Sequence, residues 1–227
     1  MGDIVAPEGW LTMDQLSDEW FEARRGRVTG STVAKIMSGG KKAWDTMLDK
    51  LQKEIDTPDI KLGTQQIDAA PLRHGRKYEP IATANYELER DIDLRHFGFI
   101  INEDFPGCGY SPDGVWPDLK KLTEVKCPYN TNNHAMTVVH GKGAQDYMPQ
   151  LQFGMALCDI EIIDFISFDK RYPDPKDRLF VIPVERDMKY IEEMMNKVDD
   201  FLSMLDSGKR FSTFKSPEAN DSAPSFF

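Results

Sequence analysis

The chain has 227 residues, 40% hydrophobic and 29% charged, with a formal net charge of −10 and three scattered cysteines, Cys108, Cys127 and Cys158. A chain this long buries about 70% of its unfolded surface and needs no staple to fold, and cysteines without paired spacing argue against a disulfide scaffold or a cysteine-held zinc or iron–sulfur site. No apolar run approaches the ~20 residues of a bilayer span, and MGDIVAPEGW has neither the basic start nor the apolar stretch of a signal peptide, so a cytoplasmic protein without a membrane role is expected.

Residues 11–24 carry Leu11, Leu16, Trp20 and Phe21 at helical spacing, with Ser17 as a cap followed by acids. Ser31 to Met37 reads as a short helix with Ser31 as N-cap. Gly39-Gly40 breaks it, and a basic helix follows from about Lys41 to Lys53. Pro71 opens a longer helix that runs through Arg90. The pattern then changes: FGFIIN (97–102), GYSPDGVW (109–116) and LTEVKCP (122–128) are β-rich and separated by turn formers, which predicts three antiparallel strands. A helix at 146–158, strands at 161–168 and 179–185, and an amphipathic helix at 188–205 complete the pattern. The expectation is an α/β fold, a mixed sheet flanked by helices, as one domain over 1–207 with a mobile Ser- and Pro-rich tail at 208–227.

An acidic chain is a poor partner for a phosphate backbone, but the average hides a segregation. Arg24, Arg25, Arg27, Lys35, Lys41 and Lys42 fall in a stretch without a single acid, and Arg73, His74, Arg76 and Lys77 form a second cluster. Two such runs in an acidic chain point to a local anion site.

The chemistry centres on SPDG (111–114) and EVK (124–126). Asp113 and Glu124 fall on neighbouring strands joined by a short turn, and Glu124 and Lys126, two apart, share one strand face while Val125 takes the other. Two crowded carboxylates repel unless a cation lies between them. Oxygen-only donors select a hard ion, Mg²⁺ or Mn²⁺, and a lysine beside it is placed to activate or orient a water for phosphodiester hydrolysis. The same residues would also make a plain hairpin turn and a surface ion pair, and the motif alone does not separate the two.

Together with HGRKYEP (74–80) and W-x-x-x-R-x-G-x-V-T-G-S (20–31), the string SPDG…EVKCP resembles the lambda exonuclease (YqaJ-like) family of phage recombination nucleases, within the restriction-endonuclease-like PD-(D/E)xK superfamily. The resemblance covers about residues 20–205 in consistent order. It implies Asp113 and Glu124 as metal ligands with the Val125 carbonyl, Glu79 on the outer side of the metal, Lys126 as catalytic lysine, and Gln150 beside the active site. Arg24, Ser31 and Ser111 match the positions that hold the 5′-phosphate of a DNA end. One departure is Val125, where family members often carry Leu; the backbone carbonyl is unaffected by the swap.

The implied activity is a 5′→3′ exonuclease that digests one strand of linear duplex to mononucleotides with two Mg²⁺ ions and leaves a 3′ overhang. Leu72 is the candidate wedge that parts the terminal base pair, with Trp44 and Met47 as second choices. The resemblance also implies a ring oligomer, a trimer, and a single-strand annealing protein as partner. The rival activity is a structure- or site-specific endonuclease of the same superfamily, which needs no end pocket.

Overall fold

In a computed structural model of the protein, residues 4–62 and 69–211 are described. Strand β1 (Trp10–Leu11) precedes α1 (Asp18–Arg24), whose N-cap Ser17 accepts from Trp20 N. Leu11 therefore lies outside the helix anticipated over 11–24, and Leu16, left-handed at φ 69°, separates the two elements. Helix α2 (Gly30–Ser38) is capped at Thr29, two residues earlier than Ser31, because the carbonyl of Thr29 already accepts from Thr32 and Val33. Helix α3 (Lys41–Asp56) has Gly40 at its N-cap, and α4 (Ala70–Arg90) carries Pro71 in its first turn and continues through Pro80.

The three strands anticipated between 97 and 128 divide between two sheets. Strand β2 (Phe99–Ile100) pairs with β1, a partner drawn from the N-terminal segment that alternation within 97–102 does not reveal. Among the described residues its backbone pairs with the following segment through the bridge between Ile100 and Tyr110. The main sheet has the order β3 (Gly114–Val115), β4 (Lys121–Lys126), β5 (Ile162–Phe168), β6 (Leu179–Glu185). Strands β4 and β5 are parallel, with Glu124 opposite Phe165 and Lys126 opposite Ser167; the other pairs are antiparallel.

A parallel pair needs a long crossover. Here it consists of α5 (Thr131–His140), a 3₁₀ turn at Gly143–Tyr147 and α6 (Met148–Cys158). Sequence reading missed α5, since TNNHAMTVVH is rich in amide and β-branched residues with weak helix propensity. Tertiary contacts hold it: buried His134 bonds Ser167 Oγ and the Asp177 carbonyl, each at 2.8 Å. The helix expected from Asp146 begins instead at Met148, after the 3₁₀ turn. Helix α7 (Met188–Ser207) ends at Gly208, and the tail beyond 211 lies outside the described residues.

The sheet lies between two helical layers. Leu122, Ile163 and Phe165 face the larger core with α2, α3, α6 and α7, whereas Val125, Ile166 and Phe168 pack under Ala82 and Tyr86 of α4. Every residue of α6 from Leu151 to Cys158 is buried, as expected of a helix apolar on all sides. Strand alternation thus sends Glu124 and Lys126 toward α6 and Val125 toward α4. Among the described residues, no helix is long and apolar enough to cross a membrane.

Candidate active site

Glu124 is 1% exposed, and its two oxygens are shared among three donors. Oε1 accepts from the Lys126 ammonium and, at 2.6 Å, from Gln150 Nε2 in the first turn of α6; Oε2 accepts from the Tyr110 hydroxyl at 2.9 Å. Asp113, at the start of β3, accepts from the Val125 N–H at 2.7 Å. In a strand the N–H and C=O of one residue face the same neighbour. Lys121 and Val125 both face β3, as the Trp116 N–H to Lys121 carbonyl bond shows, so the Val125 carbonyl also turns to the Asp113 side.

Two glycines permit this density. A Cβ at Gly30 would lie 2.9 Å from Gln150 Cγ, and one at Gly154 would lie 2.5 Å from the Tyr110 ring. Tyr110 is thereby seated against α6 with its hydroxyl on Glu124. It was not anticipated, because nothing in Y-S-P-D-G signals a contact to a residue 14 positions on. Burial raises the Tyr110 hydroxyl far above its ordinary range, with the Glu124 charge adding to it, so it acts as a donor.

The electrostatics are unbalanced. Burial and then the Glu124 charge push the Asp113 carboxyl well above the usual carboxylate range, and burial raises Glu79 as well. Burial works against the Lys126 charge, but Glu124 and Asp113 outweigh it and hold the ammonium above its ordinary pKa. Three carboxylates thus face one amine. Among the described residues no three His, Cys, Asp or Glu side chains close on a single point. The groups that could hold a cation are the Asp113 and Glu124 carboxylates and the Val125 carbonyl, with Glu79 near Glu124 and Lys126. Oxygen-only donors with an excess of negative charge fit a hard divalent cation.

The candidate anion pocket adjoins this group through Ser111, two residues before Asp113. Arg24 Nη1 donates to Ser111 Oγ at 3.1 Å and Nη2 reaches Thr29 Oγ1 at 3.4 Å, which in turn is 3.3 Å from Ser31 Oγ. Trp20 Nε1 also donates to Ser111 Oγ, at 3.0 Å, and the Arg24 guanidinium lies 4.1 Å over the Trp20 ring. With two donors on its oxygen, Ser111 keeps its own O–H for a further acceptor. Burial lowers Arg24 to about 10, with Glu54 opposing the shift; it remains a cation. A cavity of about 630 Å³ opens here, with Arg24, Arg27, Thr29, Ser31, Lys50 and Lys53 on its wall. Trp20 and Thr29 stand in the W-x-x-x-R-x-G-x-V-T-G-S motif, but their contacts to Ser111 and Arg24 were not anticipated.

The long basic stretch does not act as one patch. Arg25 is tied to Glu22 and to the carbonyls of Glu54, Thr57 and Ile60. Lys50 and Lys53 of α3 join Arg24 and Arg27 instead. Leu72 is 47% exposed in the first turn of α4, whereas Met47 is buried and Trp44 packs against Phe201, so the two alternative wedges are core residues.

Residues 19–161 match the YqaJ-like viral recombinase domain. The fold is similar to that of an alkaline exonuclease (LHK-Exo) from Laribacter hongkongensis, also solved with dAMP, at 35% identity and TM-score 0.75, over 85% of this chain and 94% of that one. A phage-related exonuclease from Haemophilus somnus 129PT shares the fold at 19% identity and TM-score 0.58, over 80% of this chain and 94% of that one. An uncharacterized protein, R354, from Acanthamoeba polyphaga mimivirus is 20% identical over 167 residues, 68% of this chain; the chain spans 29% of that relative's length. The chain belongs to the YqaJ-like viral recombinase family, with the α/β fold of the restriction-endonuclease-like nucleases.

Proposed function

We propose that the protein is a divalent-metal-dependent exonuclease that removes nucleotides 5′→3′ from one strand of linear duplex DNA, leaving a 3′ single-stranded overhang. The observation that carries this reading is the continuity of the polar chain. It runs from Arg24 through Ser111 to Asp113, and across β4 to Glu124, Lys126 and Gln150. A terminal 5′-phosphate held by Arg24, Ser31 and Ser111 sets the next phosphodiester beside the carboxylates, so cleavage proceeds one nucleotide at a time. Arg24 supplies the planar donor fork suited to a phosphate, and α2 adds the free N–H groups of its first turn.

Asp113, Glu124 and the Val125 carbonyl would hold Mg²⁺ or Mn²⁺, as two ions, with Glu79 on the outer side. A cation held there supplies Lewis acidity to the phosphoryl oxygen and acidifies a water. Lys126, fixed by Glu124, orients the attacking water and offsets the charge that grows on the phosphoryl group. Gln150 fixes the Glu124 carboxylate from α6. Leu72, exposed on α4, serves as the wedge at the duplex end. A ring homotrimer around the product strand and a single-strand annealing protein acting on the exposed 3′ strand complete the reading.

The test is incubation of linear and covalently closed duplex with Mg²⁺, following acid-soluble label from 5′ and 3′ termini. Early release of 5′ label from linear DNA alone is expected, and EDTA should stop it. Cleavage of closed circles would favour the endonuclease reading, and early 3′ release would reverse the polarity.

A further inference from the structure

Two openings flank the Asp113–Glu124–Lys126 group, and they differ in charge. One, of about 400 Å³, has Asp14, Glu79, Glu87 and Asp113 on its wall. The other, of about 520 Å³, begins at Lys126 and Tyr147 and extends past Asn133, Gln145 and Lys142 to Pro128. Asp146 is its carboxylate, set against Lys126, Lys142 and His140. A strand whose 5′ end is fixed at Arg24 has to continue past Lys126 on one side or the other. With Asp113 and Glu79 taken up by the cation, Asp14 and Glu87 still face the first opening and repel a phosphate backbone, so the second opening is the electrostatically favoured path.

Its chemistry suits a nucleotide. Met136 and Tyr147 give apolar surface, while Asn133 and Gln145 carry amides that donate and accept. The side chains of Asn133, His140, Lys142 and Gln145 are exposed and make no hydrogen bond or ion pair among the described residues. The volume falls within the ~300–1,000 Å³ of small-ligand sites. At the far end, Arg171 donates to the carbonyls of Pro128 and Tyr129, both at 3.0 Å. Tyr129 packs on His74, His74 on Tyr78, and the Lys170 ammonium lies 4.9 Å from the Tyr78 ring centroid. The second basic cluster of the sequence thus begins where the cleft ends.

We propose that this cleft is the subsite for the nucleotide on the 3′ side of the scissile bond. It seats the base between α5 and the 3₁₀ turn and passes the following phosphates to the His74–Lys170–Arg171 surface. The inference rests on the exonuclease reading, since that reading fixes which end of the strand lies at Arg24.

The experiment uses the full chain with Lys142→Ala, which removes a cleft charge, and Met136→Trp, which fills the cleft from an exposed position. Lys189→Ala, on exposed α7 surface, is the control, and melting temperatures check the fold of each variant. Binding of a 5′-phosphorylated oligonucleotide is read by anisotropy in EDTA, and nucleotide release from linear duplex in Mg²⁺. Lys142→Ala should weaken binding and lower the slope of log affinity against log salt by about 0.7–1. Met136→Trp should raise KM severalfold, with Lys189→Ala unchanged in both assays. Wild-type binding, salt slope and KM in both cleft variants would overturn the subsite, and so would an equal loss in the control. Absence of nucleotide release by the wild type would instead overturn the exonuclease reading, with the cleft then judged on oligonucleotide binding alone.

Discussion

Two carboxylate–lysine pairs sit on opposite faces of one sheet, and only one has the makings of a reactive centre. On the α4 face, Asp164 is 3% exposed and accepts from Lys121 at 3.2 Å and from the Tyr86 hydroxyl. On the α6 face, Glu124 accepts from Lys126 and from the Tyr110 hydroxyl. The parts are the same: acid, amine and phenol. The α4 group is closed, because Trp116 Nε1 donates to the Tyr86 oxygen at 2.9 Å and the Lys121 ammonium lies 4.6 Å from the Trp116 ring centroid. One acid faces one amine there, and the network satisfies itself. Around Glu124, Asp113 and Glu79 (the latter from α4) add negative charge without added amine, and cavities open beside the group. A buried ion pair is therefore a poor marker of a site; unbalanced charge next to open space is a better one.

The largest contrast comes from removing each lysine. Lys126→Ala should lower nucleotide release by at least about 10²–10³-fold, with oligonucleotide binding in EDTA nearly intact. Lys121→Ala should leave release per folded molecule unchanged and cost stability instead. Losing a hydrogen bond to a charged group is worth about 1–2 kcal/mol at this partly exposed position, a fall of about 2–8 °C in melting temperature. Loss of cleavage in Lys121→Ala at an unchanged melting temperature would break the comparison.

Asp113→Asn sharpens it. Because burial and Glu124 disfavour the ionised Asp113 in the metal-free protein, an amide that still accepts from Val125 N should match or exceed the wild-type melting temperature in EDTA. Nucleotide release should fall about as far as in Lys126→Ala. A clear drop in melting temperature would mean that Asp113 holds the fold together rather than storing strain for a cation.

How legible this was in the sequence depended on distance along the chain. Glu124 and Lys126 share a face by strand alternation alone, and SPDG lies within one short turn of them, so that part of the centre could be read locally. The Gln150 contact is 26 positions from Glu124 and the Ser111 contact 87 from Arg24; no local period encodes either, and only the family resemblance supplied them. Tyr110 had no role in the local pattern or the resemblance, and Thr29 stood in the W-x-x-x-R-x-G-x-V-T-G-S motif without one; packing supplied both roles. The same limit explains the elements. Helices with an apolar stripe or a breaker, such as α3 and α7, and the strand around Phe99 were readable, whereas α5, held by the tertiary contacts of His134, and the pairing of β2 with β1 were not.

Arg24→Ala tests the anion side against the metal side. Removing a charged hydrogen-bond donor costs about 1.5–3 kcal/mol, so release from 5′-phosphorylated ends should fall about 10–10²-fold and release from 5′-hydroxyl ends much less. Equal losses on both ends would assign Arg24 to the fold, through Trp20 and Ser111, rather than to the phosphate.

Leu72→Ala carries the smallest effect and isolates a step that neither ion pair touches. The side chain is 47% exposed on the first turn of α4, so truncation creates no cavity and the melting temperature should stay within about 2 °C of wild type, as for surface changes worth under 0.5 kcal/mol. A wedge acts only where base pairs have to be parted. Release from blunt duplex ends should slow severalfold, whereas release from a 5′ single-stranded flap, already unpaired, should keep its rate. Equal slowing on both substrates would place Leu72 on the strand path rather than at the fork, and no slowing on either would leave strand separation to another exposed apolar residue of α4, such as Ile81.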